Sequence, residues 1–333
     1  MSRRVGKTVA VLAVILTLVT IIAGVVKYFN FSVPEREAPD LPAYYDNGNG
    51  EIDVDMPGED ASQAEIKQFI ADLYNLACAN YQAEDKAAFE VRYTTTMSIG
   101  GVINIPVPGS RYCVKDGDKR YYLDFTIPGD EMMGMVTSLP QMVPPESCQY
   151  AEAVYTDATM DYMISRKAYN DCVAPGKGVG PHFDDNGAIV ADWTYVETKE
   201  LDKIVYAAYQ DGEFRHTDHD VSVDTILSGK VSYVEEYGYY LCEFELDPNK
   251  VPQALLDSLR ESSGQSTAKY TKLVQTMTVW DTGYLRTYHA LDYWGTDAGM
   301  TSELDFETLY YYGNEPEKLD INNYPYMAEQ CHK

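Results

Sequence analysis

The chain has 333 residues, of which 52 are Asp or Glu and only 26 are Lys or Arg, so its formal net charge is −26 at pH 7. A surface this acidic is repelled by nucleic acid, and this excludes nucleic-acid binding as a function. The 29 tyrosines favour strands, because Tyr is a strong strand former. We predict an α+β protein, in which an N-terminal transmembrane helix precedes an antiparallel β-rich ectodomain.

The first 27 residues differ from all that follow. A basic flank at 1–7 precedes an uncharged run of Val, Leu, Ile and Ala at 8–26. A helix of that length measures roughly 28 Å, close to the hydrocarbon thickness of a bilayer. We therefore predict a single-pass signal anchor at 8–26. The alternative is a cleaved signal peptide, which has a shorter apolar core and a small-residue cleavage motif that is missing here.

The distribution of charge predicts how the chain is oriented in the plasma membrane. The N-terminal flank is purely basic and the rest of the chain is strongly acidic, so the positive-inside rule places the N-terminus in the cytoplasm and the bulk of the chain outside it. Residues 27–62 contain prolines, acids and an Asp/Asn/Gly cluster, with little apolar surface. This composition is typical of a tether between the anchor and an extracytoplasmic domain at 63–333.

Within 63–333, helical spacing of apolar residues predicts a helix at 64–81, with a capping box formed by Ser62 and Glu65. Two further helices are predicted at 131–142 and 251–262. Alternation and turn signals predict strands over most of the remaining domain, with a break between two subdomains near 173–190. The strands include a hairpin of 111–114 and 120–127, single strands at 153–166, 203–210, 230–236 and 239–246, and three C-terminal strands at 270–281, 284–294 and 302–312.

All six cysteines follow the predicted anchor, where disulfides can form. Cys148 and Cys172 are the favoured pair, because they bracket one local segment, and such a bridge contributes ~3 kcal/mol. The other interpretation is that several cysteines are buried thiols. Cys242 fits it, because this residue alternates with Tyr240 and Phe244 along one strand face.

Six apolar side chains are candidates for contact with an apolar ligand, and ordinary core packing is the alternative for each of them. They are Met132, Met133, Met135, Leu139, Trp280 and Trp294. No residue pattern in the sequence identifies a catalytic group, a metal ligand or a cofactor site. The His216–His219 cluster is interpreted as a polar surface loop, because neither strand nor helix spacing there supports a metal site.

The C-terminal strands resemble a known superfamily. Trp280-Asp281-Thr282-Gly283-Tyr284 leads into a long alternating strand, and the stretches at 304–314 and 316–325 follow. This succession of turns and alternating strands resembles that in the C-terminal sheets of the LolA/LppX-like superfamily of bacterial envelope proteins. The resemblance implies an antiparallel half-barrel that curls around helices and often shelters an apolar ligand. The lipid-modified cysteine common in that superfamily is absent from this sequence.

These observations favour a non-catalytic binding or sensing module of a bacterial cell envelope, held by its own anchor. Its partner would be a lipid-like ligand or an envelope protein. The first alternative is an envelope hydrolase acting on glycan or peptide, which requires a cleft with paired carboxylates or a Ser/His grouping. The second is a structural interaction protein, which requires a flat exposed aromatic patch.

Overall fold

The computed structural model describes residues 33, 36, 38–48, 52, 55–58, 60–99, 103–126, 219–316 and 319, and the backbone of short strands at 151–156, 161–164, 182–183 and 189–190. Its helices are α1 (Gln63–Ala83) and α2 (Gln253–Ser263), and a 3₁₀ turn lies at Pro248–Lys250. The strands are β1 (Lys86–Ile99), β2 (Ile103–Asp116), β3 (Lys119–Thr126), β4 (Ala151–Thr156), β5 (Asp161–Ile164), β6 (His182–Phe183), β7 (Ile189–Val190), β8 (Ile226–Val234), β9 (Tyr239–Leu246), β10 (Lys269–Trp280), β11 (Leu285–Gly295) and β12 (Met300–Tyr311).

The main sheet consists of two meanders that meet at their first and last strands. Its order is β5-β4-β3-β2-β1-β12-β11-β10-β9-β8, and every neighbouring pair is antiparallel. Strands that follow one another in the chain pair as antiparallel neighbours within each meander. The connections at 117–118, 235–238, 281–284 and 296–299 are short turns, whereas the 3₁₀ turn and α2 lie between β9 and β10. The seam between β1 and β12 runs from Ala88 opposite Tyr311 to Ile99 opposite Met300. Over the described residues the sheet ends at β5 and β8, so it is open.

Helix α1 begins with the capping box that the sequence predicts. Ser62 Oγ accepts a hydrogen bond from the Glu65 backbone N–H at 3.3 Å, and the Glu65 carboxylate accepts one from the Ser62 backbone N–H at 2.7 Å. These two bonds satisfy amide groups that the first helical turn otherwise leaves without partners. These hydrogen bonds therefore fix the start of the helix, in addition to the packing of its buried face.

Helix α1 lies across one face of the sheet, which we call the inner face, and contacts strands from β8 to β2. Ile70 lies over Gly229 of β8, where a Cβ would come within 2.4 Å of Ile70 Cδ1. At the last turn of the helix, Lys115 of β2 donates from Nζ to the Tyr81 carbonyl at 2.6 Å. Between these points lie aromatic pairs of helix and sheet: Phe69 with Tyr240, Tyr74 with Tyr288, and Tyr81 with Phe89 and Tyr310.

Helix α2 packs against β10 and adds to the same core as α1. Leu259 is buried in the core, and Leu255 and Leu256 are half-buried against it. Arg260 Nε donates to the Ala268 carbonyl at 3.2 Å, which ties the helix to the start of β10. Leu255, Leu256 and Leu259 recur at helical spacing, so the apolar side of α2 is the one that it buries.

Most predicted elements in the described part of the chain are confirmed. The helices at 64–81 and 251–262 and the three C-terminal strands agree with α1, α2 and β10–β12 within a few residues. The single strand predicted at 153–166 is wrong, because β4 and β5 pair antiparallel and the chain must reverse between them. The antiparallel β-rich fold is confirmed, and an open sheet with few helices is consistent with the predicted half-barrel.

Several predictions fall outside the described residues. They are the anchor at 8–26, the helix at 131–142, the strand at 203–210 and most of the subdomain break near 173–190. In the described part, neither helix has the length and apolar character needed to cross a bilayer. The anchor and the orientation in the membrane therefore stay predictions.

Candidate functional site

The described residues between 33 and 48 (33, 36 and 38–48), which we call the strap, lie against the sheet. Arg36 donates from Nη1 to the Gly109 carbonyl at 3.0 Å and from Nη2 to the Tyr93 carbonyl at 2.8 Å. Further along the strap, the Tyr311 hydroxyl donates to the Asp40 carbonyl at 2.8 Å. This part of the predicted tether at 27–62 is thus bound to the domain, because specific hydrogen bonds replace the apolar surface that the segment lacks.

The second half of the strap is held by its two adjacent tyrosines. Tyr45 stacks on Tyr312 with ring centroids 4.7 Å apart and meets the ring of Tyr284 edge-on at 4.8 Å. Its hydroxyl donates to Glu84 Oε2 at 3.1 Å, just beyond the end of α1. Asn47 also donates to Glu84 and to the Tyr284 hydroxyl. The strap therefore connects the end of α1 with the ends of β11 and β12.

A cleft of about 410 Å³ lies between the strap and the face of the sheet opposite α1, which we call the outer face. We name it the strap cleft. The strap supplies mainly small or apolar side chains to its wall, and β1 and β12 supply charged ones. Its lining residues are Val33, Arg36, Ala38 and Pro39 from the strap and Arg92, Tyr93, Thr94, Asp305 and Glu307 from the sheet.

Strand register brings the charged residues together. Arg92 lies opposite Glu307 and Thr94 lies opposite Asp305 across the β1–β12 seam. Side chains alternate between the two faces of a strand, so Arg92 points outward while its neighbours in the chain belong to the core. The outer face of the seam therefore presents a guanidinium and two carboxylates side by side, and the strap adds the guanidinium of Arg36.

Three charged groups of the strap cleft, Arg36, Arg92 and Asp305, have fixed partners. Arg92 Nε lies 3.8 Å from Oε1 of Glu90, which is buried beside the cleft. Burial and, secondly, the positive charge of Arg92 lower the pKa of Arg36 below its ordinary value. His289 Nε2 lies 2.8 Å from Asp305 Oδ1, and this hydrogen bond is the main cause that raises the pKa of His289. Because two guanidiniums and two carboxylates line the cleft, it can contact both negative and positive groups of one ligand.

One donor in the wall of the strap cleft lacks an acceptor among the described residues. Arg36 Nε is buried and makes no hydrogen bond there, although both Nη atoms of the same guanidinium do. Buried N–H groups nearly always have an acceptor, so this atom marks a position where an oxygen of a bound molecule or of water would be stabilised.

The predicted apolar ligand contacts divide into two sets. Trp280 and Trp294 each expose 4% of their surface and belong to the core, and neither lines the strap cleft. Trp280 lies against Tyr44 of the strap, with ring centroids 5.3 Å apart. The other four residues, Met132, Met133, Met135 and Leu139, lie outside the described residues, as do Cys148 and Cys172. Their proposed roles therefore stay predictions.

The described cysteines are thiols. Cys78, Cys113 and Cys242 form no disulfide. Cys242 is fully buried, as predicted, and burial raises its pKa to about 12. Such a thiol carries almost no thiolate at neutral pH and is chemically inert.

His219 does not lie in a polar surface loop, and that prediction is wrong for this residue. It is buried, with Nε2 at 2.7 Å from Asp292 Oδ2, and Gln275 donates to Asp292 Oδ1 at 2.9 Å. Asp292 and Gln275 are polar residues at inner-face positions where the neighbouring inner-face residues of β11 and β10 are apolar. These two polar residues were the sequence signal that could have predicted a buried partner such as His219. The described part of the chain holds no grouping of three or more metal-ligating side chains.

No protein-family model matches the sequence, and no curated protein matches it. A solved domain described as an outer membrane lipoprotein-sorting protein, from Vibrio parahaemolyticus, is 9% identical with a TM-score of 0.23 and covers 74% of this chain and 96% of its own. A LolA superfamily protein from Nitrosomonas europaea is 10% identical with a TM-score of 0.21 and covers 78% of this chain and 97% of its own. These neighbours agree with the predicted resemblance to the LolA/LppX-like superfamily.

Proposed function

We propose that this chain is a membrane-anchored, extracytoplasmic binding module of the bacterial cell envelope. Its ligand is a lipid-like molecule that the strap cleft holds by a zwitterionic headgroup. The observation that carries the proposal is the mixed charge of the cleft, where two guanidiniums and two carboxylates line one space. A phosphate group fits the arginines, because guanidinium binds phosphate with paired hydrogen bonds, and an ammonium group fits the carboxylates.

The position of the cleft along the chain supports a ligand from the membrane. Nine residues separate Val26, the end of the predicted anchor, from Arg36 at the cleft. Such a segment spans at most about 35 Å even when fully extended, which keeps the cleft within reach of lipid headgroups. Val33, Ala38 and Pro39 form an apolar edge of the cleft against which the first part of an acyl chain can lie.

The space under α1 is a poor alternative for this ligand. In the described part of the molecule, that interface is filled by side chains with less than 2% of their surface exposed, among them Ile70, Leu73, Tyr81, Tyr288 and Tyr310. A lipid there would have to displace core residues, at a cost of several kcal/mol.

Native mass spectrometry of the full chain in mild detergent tests this proposal. After incubation with equal amounts of phosphatidylethanolamine and phosphatidylglycerol, the wild type should retain one phosphatidylethanolamine molecule in preference to the anionic lipid. Arg92→Gln and Glu307→Gln should each lose that molecule, whereas Lys230→Gln, in an exposed ion pair with Glu243, should keep it. Retention of neither lipid, or equal retention by all variants, would contradict the proposal.

A further inference from the structure

A second surface, away from the strap cleft, carries exposed tyrosines from the strap and from the β8–β9 hairpin. Tyr44 exposes 52% of its surface, Tyr233 37% and Tyr237 56%. Single exposed aromatic residues are ordinary, but a contiguous group of them marks an interaction site. Together with Tyr239 and Asp281 these residues form what we call the aromatic patch.

Asp281 lies at the centre of the aromatic patch. Its Oδ1 accepts a hydrogen bond from the Tyr44 hydroxyl at 2.8 Å, and its Oδ2 accepts one from the Tyr233 hydroxyl at 2.9 Å. The Asp281 backbone N–H donates to the Gly238 carbonyl at 2.9 Å, which joins the β8–β9 and β10–β11 turns. One carboxylate thus orients two rings from distant parts of the chain.

The remaining rings are also held in place. Tyr44 and Tyr239 both meet Trp280 edge-on, at centroid distances of 5.3 and 5.9 Å. Tyr237 lies nearly parallel to Tyr239, 6.2 Å away. A surface whose rings are already ordered loses little conformational entropy when a partner binds, so the aromatic patch is suited to binding.

The charge around the aromatic patch indicates the partner's chemistry. Asp46 and Glu235 are exposed. After the hydrogen bonds to Asp281, their negative charges contribute to raising the pKa of Tyr44 and of Tyr233, respectively; Glu236 is exposed next to Tyr237 in the chain. The only cation among the described residues recorded over these rings is Arg286, whose guanidinium lies 4.7 Å from the Tyr239 centroid and 5.1 Å from that of Trp280. The patch already accepts a guanidinium against its rings, as cation–π attraction predicts.

We propose that the aromatic patch docks a Lys- and Arg-rich segment of a partner protein. The partner's cations would lie against the exposed tyrosine rings and beside Asp281 and Glu235, where both cation–π and ion-pair attraction act. A second copy of this chain is a poor fit, because it carries the same net charge of −26. This is the type of surface that an interaction protein requires, and it adds a protein partner to the lipid-like ligand proposed above.

The test uses the full chain in detergent and a short fluorescent peptide of alternating Arg and Gly, with a matched peptide in which Gln replaces Arg. Fluorescence anisotropy should show binding of the Arg peptide only, and weaker binding at high salt. Asp281→Asn and Tyr237→Ala should each weaken binding about tenfold. Asp257→Asn removes the same charge from α2, where Asp257 is exposed, and should change binding less than about twofold.

Three outcomes would overturn the proposal. Equal weakening by Asp281→Asn and Asp257→Asn would assign binding to overall charge, and equal binding of the Gln peptide would assign it to uncharged groups. A dimer of the wild type that Tyr237→Ala dissociates in analytical ultracentrifugation would assign the patch to a second copy. Because Tyr237 is largely exposed, its replacement tests the patch without removing a core residue. The same variants should retain lipid as the wild type does, because they leave the strap cleft unchanged. Failure of the aromatic-patch proposal can therefore be distinguished from failure of the strap-cleft proposal.

Discussion

The inner and outer faces of the sheet are covered in different ways. On the inner face, α1 buries a regular row of apolar side chains, including Phe69 and Leu73. On the outer face the cover is an irregular strap, held by single hydrogen bonds such as those of Arg36. The first cover therefore stabilises the fold through buried apolar area. The second adds a few directional contacts and leaves a cleft beneath it.

The largest effect should follow from a cavity on the inner face. Leu73 is fully buried, so Leu73→Ala should lower the free energy of unfolding by about 2–5 kcal/mol. Urea unfolding of the full chain in detergent, followed by tryptophan fluorescence, measures this change. The control is Gln68→Ala on the exposed side of the same helix, which should stay within about 0.5 kcal/mol of the wild type. Equal effects of the two variants would show that α1 does not cover the core.

A smaller effect is expected when the strap loses its main contact. Arg36→Gln removes the donors to the Gly109 and Tyr93 carbonyls and should lower the free energy of unfolding by about 1–2 kcal/mol. It should also speed proteolysis within residues 33–48, because the released segment becomes accessible. Lys230→Gln, in an exposed ion pair, should change neither quantity. Unaltered proteolysis of Arg36→Gln would mean that other contacts hold the strap.

The smallest effect concerns pH. The pKa of His289 is raised in the folded protein, chiefly by its hydrogen bond to Asp305, so the protonated form favours folding. This stabilisation is fully present below pH 6.5 and is lost as the pH rises through the folded pKa. The side chain is 44% exposed, so solvent screening keeps the contribution below about 1 kcal/mol.

The difference in unfolding free energy between wild type and His289→Gln, measured by urea titration, reports this contribution. It should be present at about pH 5 and absent at about pH 9. A difference that grows with pH would contradict the assignment of the stabilising form to protonated His289.

The inner face could be predicted from sequence because its elements obey local rules. The helical spacing of Phe69, Ile70 and Leu73 and the capping residues Ser62 and Glu65 are all within one segment, and α1 follows from them. The alternation along β10–β12 likewise reports which face is buried. The pairing of β1 with β12 could not be predicted, because it joins strands more than 200 residues apart with no local signal.

The strap and its cleft could not be predicted for a different reason. Arg36 binds backbone carbonyls, which every residue has, so its partners leave no trace in the sequence. The prolines and acids of residues 27–62 are typical of a free linker, and they concealed the packing of Tyr44 and Tyr45. An adjacent aromatic pair in an otherwise polar segment was the one signal of this packing.

The most direct test of the proposed lipid site uses a photo-reactive amino acid introduced into the strap of the full chain in native membranes. At Val33, which lines the strap cleft, illumination should yield an adduct with a zwitterionic lipid that mass spectrometry identifies. At Leu41, which lies on the same strap, is 60% exposed and does not line the cleft, the yield should be several-fold lower. Equal yields at the two positions, or no lipid adduct at Val33, would contradict the proposal that the strap cleft binds a lipid.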